Sequence, residues 1–156
     1  MLSNEAQVLS ELLVANGLTI SVAESCTGGA LSHTITSIPG ASSYFDCGYI
    51  TYSNQSKTEM LGVDIQSIKT YGAVSEEVAL EMVIGLATKS HSDVAVSITG
   101  VAGPTGGTPE KPVGTVCFGF SCDGKTSTST KLFSGDRRSI VSQSVSYALK
   151  QLSVRI

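Results

Sequence analysis

The hydrophobic pattern changes period several times along the chain, and each change marks an element. Residues 4–16 place Val8, Leu9, Leu12 and Leu13 on one helical stripe, with Asn16 and Gly17 as a stop. Leu18, Thr19, Ile20, Ser21 and Val22 form an apolar, β-branched run that predicts a strand over 18–23. Helical spacing returns at Ala30, Leu31, Thr34, Ile35 and Ile38, until Pro39 and Gly40 break it. Residues 44–52 are aromatic and β-branched and predict a second strand. Ser53 and Asn54 cap a short helix carrying Lys57, Met60 and Leu61, and residues 63–71 make another, closed at Gly72. Ser75 caps a longer helix whose core stripe is Val78, Ala79, Met82, Val83 and Leu86, with Glu76 and Glu77 in its first turn, where negative charge is favoured. Residues 93–99 predict a short central strand. Two further strands over 113–121 and 126–133 are joined near Asp123-Gly124, a hairpin signal. The last helix starts near Asp136 and buries Ile140, Val141, Val145, Ala148, Leu149 and Leu152.

This order predicts an α/β fold, a three-layer α/β/α sandwich on a mixed, largely parallel sheet with an antiparallel hairpin. No repeat, linker or low-complexity tract interrupts it, so residues 1–156 read as a single domain, long enough to bury a core without staples. Hydrophobic residues at 41% and charged residues at 15% argue against disorder. A net charge of -3 leaves no basic footprint, which argues against nucleic acid as the main partner. No apolar run approaches the roughly 20 residues of a membrane span. The first helix carries Glu5 and Glu11 and lacks a basic start, so it does not read as a signal peptide. Cys26, Cys47, Cys117 and Cys122 are scattered with no CxxC pair, which predicts free, reduced thiols in a cytoplasmic protein. With only His33 and His91 beside them, a zinc site is not expected.

The candidate chemistry lies in the segments after strands, where such folds gather their ligands. Ala23-Glu24-Ser25-Cys26-Thr27-Gly28-Gly29 takes the chain from a strand into a helix within seven residues. Gly28 and Gly29 permit backbone angles that strain other residues, and Ser25, Cys26 and Thr27 put three small reactive or hydrogen-bonding groups on the turn. The N–H groups at the start of the following helix favour a bound phosphate or a developing oxyanion there. The second segment is Thr51-Tyr52-Ser53-Asn54-Gln55-Ser56-Lys57. The third is the start of residues 100–114, fifteen residues with five glycines and three prolines, among them Gly100, Gly103 and Pro104, with Lys111 at its far end. The fourth is Ser134-Gly135-Asp136-Arg137-Arg138.

A serine hydroxyl needs a base. His33 within a helix and His91 at a surface junction are poorly placed, whereas Lys57, if desolvated, would lose its proton near neutral pH. Spacing alone favours Lys57 as an exposed helix lysine, and leaves Tyr52 as a proton relay or as packing, and Arg137 as an anion clamp or as one half of a surface ion pair. Cys26 rivals Ser25 as nucleophile, because a helix N-terminus lowers a thiol pKa. The turn is neither a Walker loop nor a Gly-x-Ser-x-Gly elbow. On the residues alone the reading is a small-molecule site for an anionic group, compatible with a serine hydrolase.

Taken together, Ala23–Gly29, Thr51-Tyr52-Ser53-Asn54 with Lys57, Gly72-Ala73-Val74-Ser75, Gly100-Val101-Ala102-Gly103-Pro104, Lys111-Pro112-Val113-Gly114-Thr115-Val116 and Gly135-Asp136-Arg137 resemble the CinA C-terminal domain family, which includes nicotinamide-nucleotide amidases. The resemblance spans residues 5–152 and points to the stand-alone form, without the extra N-terminal domain of some relatives. It implies a cytoplasmic, homo-oligomeric enzyme without metal or cofactor that hydrolyses the carboxamide of nicotinamide mononucleotide to nicotinate mononucleotide and ammonia. It implies catalysis by Ser25 and Lys57 with help from Tyr52, and an oxyanion held by N–H groups around Cys26 and Thr27. Substrate contacts are expected from Cys26, Thr27, Gly28, Gly29, Asn54, Gly100, Gly103, Pro104 and Arg137. A module of the same fold that holds a nucleotide without turning it over is the alternative.

Overall fold

Large and small side chains alternate along the central strand. Val94, Val96 and Ile98 face one side of the sheet, and Ala95, Ser97 and Thr99 face the other, all of them buried. A computed structural model describes residues 2–156. In chain order the elements are α1 (Leu2–Asn16), β1 (Ile20–Glu24), α2 (Ala30–Thr36), a 3-10 turn (Ala41–Ser43), β2 (Phe45–Ile50), α3 (Asn54–Leu61), α4 (Ile65–Tyr71), α5 (Glu76–Lys89), β3 (Val94–Gly100), β4 (Thr115–Cys122), β5 (Lys125–Leu132) and α6 (Arg137–Arg155). The sheet order is β2-β1-β3-β4-β5. β1 runs parallel to β2 and β3, while β4 is antiparallel to both β3 and β5. The fold is the mixed α/β sandwich that the pattern predicts.

The large-residue face is covered by α1, α2 and α6, through Leu9, Leu13, Leu31, Ile35, Ile140, Val145 and Leu149. The small-residue face lets α5 lie close. Ser97 Oγ donates to the Ala79 carbonyl at 2.6 Å, and a Cβ at Gly119 would stand 2.5 Å from that same oxygen. α3 is drawn in after it: a Cβ at Gly85 of α5 would collide with the Leu61 carbonyl at the end of α3. This close stacking holds α3 over the ends of β1 and β2, with Leu61 and Lys57 as its buried residues. The parallel register places Glu24 opposite Ile50 on one side and Ile98 on the other, so β1 and β2 end side by side and β3 runs two residues further.

Several strand boundaries and one core position differ from the pattern. Val8 is 44% exposed, because the buried face of α1 runs through Ala6, Leu9, Ser10 and Leu13. Tyr44 lies outside the strand: it is buried after the 3-10 turn, its hydroxyl donating to the Ile35 carbonyl at 3.4 Å, and β2 stops at Ile50 rather than 52. β4 starts at Thr115 rather than Val113, because Gly114 turns there with φ +97 against the Phe133 carbonyl. Among the described residues no helix is long and apolar enough to cross a membrane.

Candidate active site

β1 ends at Glu24, and the Ser25 N–H still donates to the Ile98 carbonyl of the neighbouring strand at 2.9 Å. The chain then reverses, with the Gly28 N–H donating to the Ser25 carbonyl at 3.0 Å. Gly28 and Gly29 take φ of +56 and +103, left-handed values that a side chain would strain. The turn therefore fixes Ser25 directly after the last residue of a buried strand, still hydrogen-bonded to its neighbour.

Lys57 arrives from a separate segment. Ser53 caps α3 by accepting from the Ser56 N–H at 3.1 Å, which brings the fourth residue of that helix, Lys57, back over the strand ends. Lys57 is 1% exposed and Ser25 7% exposed. Nζ donates to Ser25 Oγ at 3.0 Å and to the Thr51 carbonyl at 3.1 Å. Among the described residues no carboxylate forms an ion pair with this amine. Burial lowers its pKa from the ordinary lysine value, with Cys26 as the lesser, opposing influence. An amine that has given up its proton can keep one N–H on Thr51 and turn its lone pair to the serine hydroxyl. That is the arrangement of a nucleophile beside its base.

Cys26 stands differently. It belongs to the large core, and burial is the main force that pushes its thiol up to about 12. The hydrogen bond from its own main-chain N–H lowers it in part; the Glu24 charge raises it and those of Lys57 and Arg137 lower it, all smaller effects than burial. The thiolate that would attack an amide is thus suppressed, against the expectation that a helix N-terminus would lower the thiol pKa.

The start of α2 is not open to an outside anion either. Glu24, fully buried, already occupies it. Its Oε1 accepts from Thr27 Oγ1 at 2.7 Å and from the Leu31 N–H at 2.9 Å, and its Oε2 accepts from the Ser32 N–H at 2.9 Å and Ser32 Oγ at 2.7 Å. The expectation of free helix N–H groups for a phosphate is thereby corrected. Among the described residues, the N–H groups of Cys26, Thr27 and Gly29 donate to no carbonyl or side-chain oxygen, that of Cys26 meeting only its own thiol sulfur.

Arg137 ties the other two segments together. As the first residue of α6, it donates from Nη1 to the Gly103 carbonyl and from Nη2 to the Tyr52 hydroxyl, both at 2.7 Å. It has no carboxylate partner among the described residues, so the ion-pair alternative drops out and its charge stays unneutralised. Tyr52 is 57% exposed and bonded to Arg137; no hydrogen bond joins it to Lys57 or Ser25. Asn54 is exposed on α3 and faces the groove toward α4 with Thr58 and Ile68. At Gly100 and Gly103 the missing side chains leave room for Val116 and Val113, so these two glycines serve packing within the chain, and Pro104 is exposed beyond them. Lys111 reaches back to the Tyr71 carbonyl and pins the long loop to the end of α4.

Two residues escaped the sequence reading. Thr51 joins both halves of the site through its main chain, its N–H on the Glu24 carbonyl at 2.9 Å and its own carbonyl on Lys57. Glu24 had a readable signal: an acidic residue closing an otherwise apolar strand, directly before a helix whose N-cap position, Gly29, has no side chain to cap with.

The sequence model of the CinA C-terminal domain family matches residues 3–156. A relative named nicotinamide-nucleotide amidohydrolase PncC in Enterobacter agglomerans is 49% identical over 88% of this chain and 85% of its own. Its namesake in Escherichia coli (strain K12) is 46% identical over 97% of this chain and 95% of its own. Among solved structures, the competence damage-inducible protein A (ComA) of Klebsiella pneumoniae subsp. pneumoniae MGH 78578 superposes with a TM-score of 0.96 at 33% identity, covering 99% of this chain and 96% of that one.

Proposed function

The chain belongs to the CinA C-terminal domain family, and we propose that it is a nicotinamide-nucleotide amidase in which Ser25 is the nucleophile and Lys57 its base. The reaction is hydrolysis of the carboxamide of nicotinamide mononucleotide, giving nicotinate mononucleotide and ammonia. The names of the two amidohydrolase relatives support the substrate class. The observation that carries the mechanism is the buried 3.0 Å contact between Lys57 Nζ and Ser25 Oγ.

On this reading uncharged Lys57 takes the Ser25 proton as Oγ attacks the amide carbon. The oxygen of the tetrahedral intermediate gathers negative charge and rests on the N–H groups of Cys26 and Thr27. One such donor is typically worth about 3 kcal/mol at the transition state. Lys57 returns the proton to the leaving nitrogen, the C–N bond breaks, and ammonia departs from an ester on Ser25. Water then attacks that ester with Lys57 again as base, releasing the carboxylate product and restoring the hydroxyl. Arg137 supplies the positive charge for the phosphate, and Tyr52 orients Arg137 rather than the proton.

A module that merely held a nucleotide would need no lysine buried against a serine. Cys26 is disfavoured as nucleophile because its thiol is pushed up to about 12. The test is acid quenching during turnover followed by mass spectrometry of the peptide containing both residues. An acyl group on Ser25 is expected, and one on Cys26 would refute the assignment.

A further inference from the structure

We infer that Glu24 is the positioning residue of the nucleophilic turn, acting as an anion built into the strand that caps the following helix from behind. The inference rests on the reading of Ser25 as nucleophile. The turn contains two consecutive glycines in left-handed conformation, and α2 begins without any side-chain cap at Gly29. Left to themselves, such residues are the most mobile kind of backbone. Glu24 removes that freedom. Its carbonyl is fixed in the sheet by the Thr51 N–H, and its carboxylate reaches across the reversal to Thr27, Leu31 and Ser32. Ser25 and the N–H groups of Cys26 and Thr27 lie inside the bridged segment.

The chemistry asks for a carboxylate and not just for its shape. Each oxygen accepts one main-chain N–H, Oε1 from Leu31 and Oε2 from Ser32. A glutamine in either orientation would turn its NH₂ group toward one of those N–H donors. Space for the network is provided from β2: a Cβ at Gly48 would stand 2.7 Å from Ser32 Oγ. Because Lys57 reaches Ser25 from the opposite segment, a shift of the turn changes the distance between nucleophile and base without touching the groups that hold the rest of the substrate.

The test is the rate at which Ser25 is phosphonylated by a fluorophosphonate, a serine-directed electrophile whose reaction needs no pyridine nucleotide. Ammonia release from nicotinamide mononucleotide is measured alongside. Glu24→Gln is expected to slow labelling about 100-fold, as displacement of a reacting group by an ångström does, and to lower kcat to match while KM stays within about threefold. Ser32→Ala, which removes one donor of the four, should show the same split at about one tenth of the effect, and it keeps the test open if Glu24→Gln does not fold. Labelling at the wild-type rate in folded Glu24→Gln, or in Ser32→Ala should that be the only folded variant, would overturn the inference. So would a loss in KM alone. Wild-type protein that is labelled but hydrolyses no pyridine nucleotide would refute the substrate and leave Glu24 to be judged by labelling. Wild-type protein that is not labelled at Ser25 would overturn both.

Discussion

Lys57 and Ser25 lie thirty-two positions apart in the chain, yet their side chains meet at 3.0 Å in a place from which water is almost wholly excluded. An ammonium taken out of water without a carboxylate partner is costly, and the pKa falls in response. The same burial that would destabilise a structural lysine makes this one a usable base.

Lys57→Met, which keeps the apolar stem and removes the amine, should reduce ammonia release roughly 1,000-fold, the usual weight of a general base. The wild-type rate should rise with pH along a limb below the ordinary lysine value of 10.5, and the variant should lose that limb. Stability follows the same sign. Between the lowered folded pKa and 10.5, the unfolded chain holds more protons than the folded one, so stability rises with pH across that window. Below it the full cost of the buried ammonium is present. Urea midpoints measured through the alkaline range should therefore climb for the wild type relative to Lys57→Met. Parallel curves would contradict the lowered pKa.

Cys26→Ala should keep turnover within about threefold of wild type, because a thiol held near 12 contributes no nucleophile. It should cost about 1 kcal/mol of stability for the sulfur removed from the core. Iodoacetamide at neutral pH should leave Cys26 unmodified in the folded protein. Rapid alkylation accompanied by loss of activity would count against this account.

Arg137→Ala removes a cation, a tie to the Gly103 carbonyl and a tie to the Tyr52 hydroxyl. A lost charge-assisted hydrogen bond to phosphate is worth about 1.5–3 kcal/mol, so KM should rise about 10- to 100-fold with a smaller change in kcat. Nicotinamide riboside, which lacks the phosphate, should show little difference between wild type and variant. Tyr52→Phe should fall between the two proteins. A drop in kcat alone for Tyr52→Phe would return the tyrosine to the proton pathway.

The layers, the hairpin and the central strand were legible because hydrophobic period reports directly on which face is covered. Ser25 was legible as well, since two glycines after a β-branched run mark a sharp turn at a strand end. Lys57 could be proposed but not decided. Whether a helix lysine is buried depends on Gly85 and Gly119 letting α5 and α3 settle close to the sheet, a packing consequence that no local pattern carries. Val8 falls off the buried stripe because α1 has apolar residues on more than one side, and the burial of Ala6 and Ser10 is decided by its packing against the rest of the fold. Thr51 contributes through its main chain, which has no sequence signature at all. Glu24 is hard to single out because the start of α2 looks in sequence like a site for an outside anion, when the chain supplies its own.

The central claim is that Ser25, activated by Lys57, opens the amide of nicotinamide mononucleotide. Its most direct test is the initial rate of ammonia release from that substrate by the purified wild-type chain and by Ser25→Ala at matched folded concentration. The wild type should release ammonia steadily with equimolar nicotinate mononucleotide, and Ser25→Ala should release it at least about 1,000-fold more slowly. Undiminished release by Ser25→Ala, or none by the wild type, would contradict the central claim.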